Sequence, residues 1–170
     1  RRTGAALSVH PPAQRDPGKP PSSHGLDIVD IAEEEGLPPE RVVICHMDQS
    51  KFVDGGMEAQ KAIAERGAYV EFDLFDHDRY MHGQGDAQPA DTDRVEFVRE
   101  LVAAGHADRL LLSHDVFMKH KLTAYGGNGY AHILEDVVPM LEDRGVPDGT
   151  VDQLLVENPG EVRTFAEPAE

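Results

Sequence analysis

Residues 109–117 read RLLLSHDVF, and the way this stretch ends decides how the rest of the chain is read. Leu110, Leu111, Leu112 and Ser113 have the unbroken apolar character of a strand buried on both faces. The run then stops at His114 and Asp115, an imidazole and a carboxylate that are costly to bury. Two other runs stop in the same way. GAALSVHP, residues 4–11, ends in His10, and RVVICHMD, residues 41–48, ends in His46 with Asp48 two places on.

Helical patterns lie between these runs. In LDIVDIAEEEG, residues 26–36, the side chains of Leu26, Ile28, Val29, Ile31 and Ala32 share one face, and Gly36 suits the left-handed residue that closes a helix. GMEAQKAIAERG, residues 56–67, reads as a short helix ending at Gly67. DTDRVEFVRELVAAG, residues 91–105, puts Val95, Val98, Leu101 and Val102 on one side, with Asp91 or Thr92 as its cap. YAHILEDVVPMLEDRG, residues 130–145, turns Ile133, Leu134, Val137, Val138 and Leu141 inward, and Pro139 should kink it. A terminal helix over 148–165 and a frayed tail at 166–170 complete one domain spanning 1–165. YVEFDLF, residues 69–75, alternates apolar and acidic residues and supplies the remaining strand. The strands are therefore expected near 5–9, 42–45, 69–74 and 110–113.

Strands separated by helical crossovers run parallel. Four such units form either an open doubly wound sheet or half of an eight-stranded barrel. No glycine-rich phosphate loop opens the first helix, and YGGNGYAH, residues 125–132, lacks the lysine of a P-loop and reads as a flexible loop. Acidic residues outnumber basic ones 32 to 16, giving a net charge of −16 that repels nucleic acid and anionic lipid. No apolar stretch approaches the ~20 residues of a membrane span. The opening Arg-Arg-Thr-Gly does not resemble a secretory signal, and Cys45, the only cysteine, can form no intrachain disulfide. A cytoplasmic location fits these features.

Function in parallel α/β folds gathers at the carboxyl ends of the strands. Those ends here carry His10, His46, the group Asp73, Asp76 and His77, and the pair His114 and Asp115. Taken singly, each histidine is more ordinarily a satisfied loop or core residue. Three strand ends repeating the pattern favour a divalent-metal site built from imidazoles and a carboxylate. A metal so held lowers the pKa of bound water and polarises a carbonyl or phosphoryl oxygen. His24, His82, His106, His120 and His132 lack this placement and read as solvated or structural. Strand alternation turns His114 away from Asp115, and Cys45 away from His46. Cys45 reads as a small buried apolar residue, not a nucleophile.

GAALSVHP, RVVICHMDQS, AIAERGAYVEFDLF, DRLLLSHDVF, HILEDVVPMLEDRGV and LLVENPGEV together make the chain resemble the C-terminal half of a phosphotriesterase-like member of the amidohydrolase superfamily. The resemblance implies a TIM-type (β/α)8 barrel, of which this chain supplies parallel strands five to eight. It implies a hydrolase with two metal ions, zinc first and cobalt or manganese as alternatives, whose hydroxide attacks a lactone, ester or phosphotriester. His10 and His46 correspond to ligands of one metal. Asp115 corresponds to the ligand of the other, which also takes up the proton of the attacking water. Asp48, Asp73 and His77 fall at supporting or pocket positions. Tyr80, Met81, Phe117, Met118 and Tyr125, in the loops 75–93 and 116–129, either offer apolar surface for the substrate or only pack those loops onto the barrel. The family also draws an H-x-H from strand one and a carboxylated lysine from strand four, and neither has a counterpart here. The chain is thus expected to be a fragment, inactive alone, that dimerises, pairs with a missing N-terminal half or aggregates through its open strands. The rival expectation is a non-catalytic half-barrel remnant, or assembly module, with at most a weak metal site.

Overall fold

The computed structural model describes residues 3–12, 23–53, 56–77 and 88–167. Four short strands, β1 (Leu7–Val9), β2 (Val42–Ile44), β3 (Tyr69–Phe72) and β4 (Leu110–Leu112), form one parallel sheet in the order β1-β2-β3-β4. Leu7 stands opposite Val42, Val43 opposite Tyr69, and Val70 opposite Leu110. Helices α1 (Ser23–Glu34), α2 (Ser50–Val53), α3 (Glu58–Glu65) and α4 (Asp91–Ala103) fill the crossovers. After β4 come α5 (Val138–Asp143), α6 (Asp148–Asp152) and α7 (Asn158–Arg163).

Alternation along the strands sorts the side chains. Val42, Ile44, Val70, Phe72, Leu110 and Leu112 face the helices, where they join Val29, Ile63, Val98, Leu141 and others in the main core. The opposite face holds a small cluster of Val43, Tyr69 and Leu111, closed from below by Val162 of α7. Helices α1, α3, α4 and α5 all contribute to the same core, as in a barrel segment; a doubly wound sheet carries helices on both faces.

The inner face is not uniformly apolar, because one polar residue from each strand or strand end forms a band across it. Ser8 Oγ lies 3.0 Å from Cys45 Sγ, the Cys45 thiol also meets Glu71, and Ser113 Oγ donates to Glu71 Oε1 at 3.1 Å.

Local chemistry explains the helix boundaries. Gly36 takes a φ of 74°, which lets the Leu37 N–H reach back to the Ala32 carbonyl and close α1. Helix α4 is capped by Ala90 instead of Asp91 or Thr92. The Asp93 carboxylate accepts from the Ala90 N–H at 2.9 Å, and this frees Asp91 for contacts described below. The expected kink at Pro139 is replaced by a π turn, Ile133–Val137, and a second π turn, Gln153–Glu157, precedes Pro159. Proline lacks an N–H and clashes with the carbonyl four residues back. The wider turn shifts the register, so that each proline falls in the first turn of the next α segment, where no donor is needed. The stretch 119–131, expected to be a flexible loop in its glycine-rich part, contains three successive 3-10 turns.

Two side chains tie the terminal helix to the sheet. Buried Asn158 donates to the carbonyls of Ala107 and Leu110 at 2.7 and 2.8 Å. Arg41 donates to Gly4 O and Thr164 O, and the Ala166 N–H also reaches Gly4 O, so position 166 is hydrogen-bonded to the start of the chain. Replacing Asn158 with Leu leaves two carbonyls without their donor, and is expected to lower stability by about 1–3 kcal/mol. Urea unfolding of the two proteins checks this, and an unchanged midpoint would refute the anchoring role.

Candidate metal centre

The site begins with a break in the backbone. His46 has a φ of 59°, in the left-handed region that a non-glycine residue occupies at a cost of about 1–3 kcal/mol. Strand alternation would turn Cys45 and His46 apart, but after the break both approach Asp73, His46 by a hydrogen bond and Cys45 Sγ to within 4.8 Å of a carboxylate oxygen. The Asp73 carboxylate offsets the strain. Its Oδ1 accepts from the His46 backbone N–H at 3.1 Å and from Nδ1 at 2.7 Å. With Nδ1 occupied as donor, Nε2 is the nitrogen left with a lone pair, the orientation common in metal-ligating histidines. Burial pushes the His46 imidazole down, but the hydrogen bond and charge of Asp73 outweigh it and the net direction is up. Burial pushes the Asp73 carboxyl up to about 7, against the pull of His46.

His10 comes from the end of β1, and its ring meets the His46 ring edge-on with centroids 4.4 Å apart. Asp115, at the end of β4, is near enough for its charge to act on His46. His114 donates to the Tyr130 carbonyl at 2.8 Å. His77 is buried and its Nε2–H donates to the Asp115 carbonyl at 2.9 Å, with its ring stacked 5.9 Å from Phe117. Burial and the nearby Lys121 push the His77 imidazole down, so it serves as a neutral donor. Phe117 is mostly exposed. Tyr80, Met81 and His82 lie outside the described residues.

Asp48 is fully buried behind the rim. Its Oδ2 accepts from the Leu74 N–H at 3.0 Å and from Arg94 Nε at 2.8 Å. Burial pushes its carboxyl above the ordinary range, against the pull of Arg94. A second polar group adjoins it. Asp91 Oδ1 accepts from the Asp76 N–H at 2.8 Å and from Arg94 Nη1 at 3.3 Å. Asp91 Oδ2 accepts from His132 Nε2 at 2.6 Å, while His132 Nδ1 donates to Asp136 at 2.7 Å. Asp91 reads in sequence as a helix cap and Arg94 as one more charged residue of α4, and their partners lie too far along the chain to show.

Two imidazoles and a carboxylate suit a divalent first-row metal. His10, His46 and Asp115 do not, however, form a group whose ligand atoms all lie within 4.8 Å of one another. Among the described residues, the three-ligand group whose atoms all lie within 4.8 Å of one another is Cys45, Glu71 and Asp73. Hydrogen bonds from Ser8, Ser113 and His46 already engage that group, and burial pushes the Cys45 thiol up to about 12, far from the thiolate a metal prefers.

The sequence model of the phosphotriesterase family matches residues 1–163. The chain belongs to the phosphotriesterase family. It is 34% identical over 166 residues to an N-acetyltaurine hydrolase of Danio rerio, covering 96% of this chain and 45% of that protein. The corresponding enzyme of Rattus norvegicus is 36% identical over 164 residues, covering 95% and 44%. Among solved structures, a resiniferatoxin-binding protein from Rhodobacter sphaeroides superposes with a TM-score of 0.83 at 34% identity, covering 96% of this chain and 43% of that one. A phosphotriesterase homology protein from Escherichia coli, complexed with phosphate in its active site, gives 0.75 at 27% identity, covering 95% and 49%. The chain thus spans less than half the length of these relatives, and its four parallel strands form half of a TIM-type barrel.

His132 gives this family member a pH-dependent contact. Burial pushes its imidazole down, but Asp91 and Asp136 outweigh it and hold it above the ordinary 6.5. A raised folded pKa means that the contribution is complete below about 6.5 and is lost as pH rises through the folded value. The stability difference between this protein and its His132→Gln variant should therefore shrink as pH rises from about 5 to 9. Urea unfolding at stepped pH measures it, and a constant difference would show that the imidazolium is not what holds the contact.

Proposed function

We propose that this chain carries one side of a metal-dependent hydrolase centre of phosphotriesterase type. The observation that supports it most is the paired His10 and His46 rings, with Asp73 on His46 Nδ1 and Nε2 left to bind. When bound, a divalent ion supplies an activated water and polarises the scissile carbonyl or phosphoryl group. His10 and His46 would hold it, with zinc the first choice and cobalt or manganese alternatives. Asp115 would take up the proton of the attacking water. His77 would hold the backbone at Asp115, and Phe117, with Tyr80, would offer apolar surface to the substrate. The bond cleaved is a lactone, as in the lactonase from Listeria monocytogenes that superposes with a TM-score of 0.75, another ester or a phosphotriester, or an acyl amide, as in the N-acetyltaurine hydrolases. The setting is cytoplasmic.

A second reading, a non-catalytic half-barrel or assembly module, is favoured by the sheet itself. Among the described residues β1 and β4 each pair on one side only, and such edges invite another strand. The two readings meet if the other side of the centre comes from residues beyond these 170 or from an associating chain, including a second copy.

The 170-residue chain is expected to bind a single zinc or cobalt ion weakly, and His10→Ala or His46→Ala to abolish that binding in calorimetric titration. Binding that survives both substitutions would refute the histidine site. With metal supplied, the chain alone is expected to show no hydrolysis of lactones, phosphotriesters or N-acyl amides above the metal blank. Turnover that disappears in His46→Ala would show that the described ligands suffice.

A further inference from the structure

We propose that Arg94, a residue of α4 and not of a strand end, is a positioning residue for the metal centre; this rests on the metal reading above. The side chain of Arg94 is completely buried. Its hydrogen-bond partners are Asp48, His77, Pro89 and Asp91. Two lines of contact lead from this one guanidinium to the two ends of the centre. The first runs from Nε to Asp48 Oδ2 at 2.8 Å, and Asp48 lies two residues beyond His46, where the strained left-handed turn must be held. The second runs from Nη2 to the His77 carbonyl at 3.5 Å, and the His77 ring in turn holds the Asp115 carbonyl at 2.9 Å. Through Nη1 the same group is fastened to Asp91 at the start of α4, so it cannot shift without moving the helix.

The arrangement uses what is particular to arginine. Its planar fork presents five donors in fixed directions and can address three backbone segments at once, which a lysine ammonium on a single stem cannot. Stability alone does not account for the pair. A buried ion pair gains little over apolar residues of the same volume. This one also leaves Asp48 Oδ1 buried without a hydrogen-bond partner. What Arg94 fixes is distance: β2 and β4 are separated in the sheet by β3, and their ends are linked through Asp48 and Arg94 on one side and His77 on the other.

The test is cobalt(II) binding by the whole chain, read as affinity and as the visible absorption spectrum of the bound ion, with the urea unfolding midpoint recorded for each variant. Arg94→Gln should weaken binding by about 10–100-fold, the range usual when a group supporting a metal ligand is lost, and should alter the spectrum. Arg94→Lys should recover part of the affinity, and Arg99→Gln, on the exposed face of α4, should match the wild type. A folded Arg94→Gln with wild-type affinity and spectrum overturns the positioning role alone. Should Arg94→Gln fail to fold, Arg94→Lys decides, since it keeps the charge and loses the fork; affinity and spectrum equal to wild type overturn the proposal. No cobalt binding by the wild-type chain overturns the metal reading and the positioning role together.

Discussion

A guanidinium withdrawn completely from water must find its counter-charge in the protein, and Arg94 finds it in Asp48. Removing one member of such a buried pair typically costs about 3–5 kcal/mol, because the other is left charged and unanswered. The rest of the architecture is arranged around meeting that demand. The turn after β2 supplies Asp48, the segment after β3 supplies the His77 carbonyl, and the first turn of α4 supplies Asp91. Through Asp91 the same network reaches His132, just before the π turn that leads into α5. Four pieces of chain that are distant in sequence are thus held in one arrangement behind the strand ends.

Much of this fold could be read from the residues alone. Apolar runs without alternation mark buried parallel strands, and Val42 to Ile44 and Leu110 to Leu112 occupy those strands. The helical faces around Val29, Ile63 and Val98 pack as their spacing indicates. The convergence of His10 and His46 was legible because both follow apolar runs in parallel strands. What escaped notice was geometry that depends on partners. The left-handed backbone at His46 needs Asp73, which lies 27 residues later. Arg94 has the appearance of any charged residue on an amphipathic helix until Asp48, 46 residues earlier, is brought against it. His132, read as solvated or structural, proves to be a buried structural histidine between two carboxylates, one of them 41 residues away.

The inner face of the sheet also departs from a simple hydrophobic filling. Ser8, Cys45, Glu71 and Ser113 form a hydrogen-bonded band just below the strand ends. Each is a small or acidic residue within or beside a run whose other members are apolar, so the band emerges only when four strands are set in register. Its burial keeps the Cys45 thiol protonated, which removes a reactive group from the vicinity of the histidines.

The way His77 grips the strand end at Asp115 has a consequence for divergence within the fold. The imidazole hydrogen-bonds the carbonyl oxygen of that residue and not its carboxylate. Main-chain anchorage and side-chain identity are therefore separable at this position. A lineage could exchange the acidic side chain for another and still inherit an undisturbed main-chain scaffold, so that new reactivity can be explored there without first rebuilding the rim.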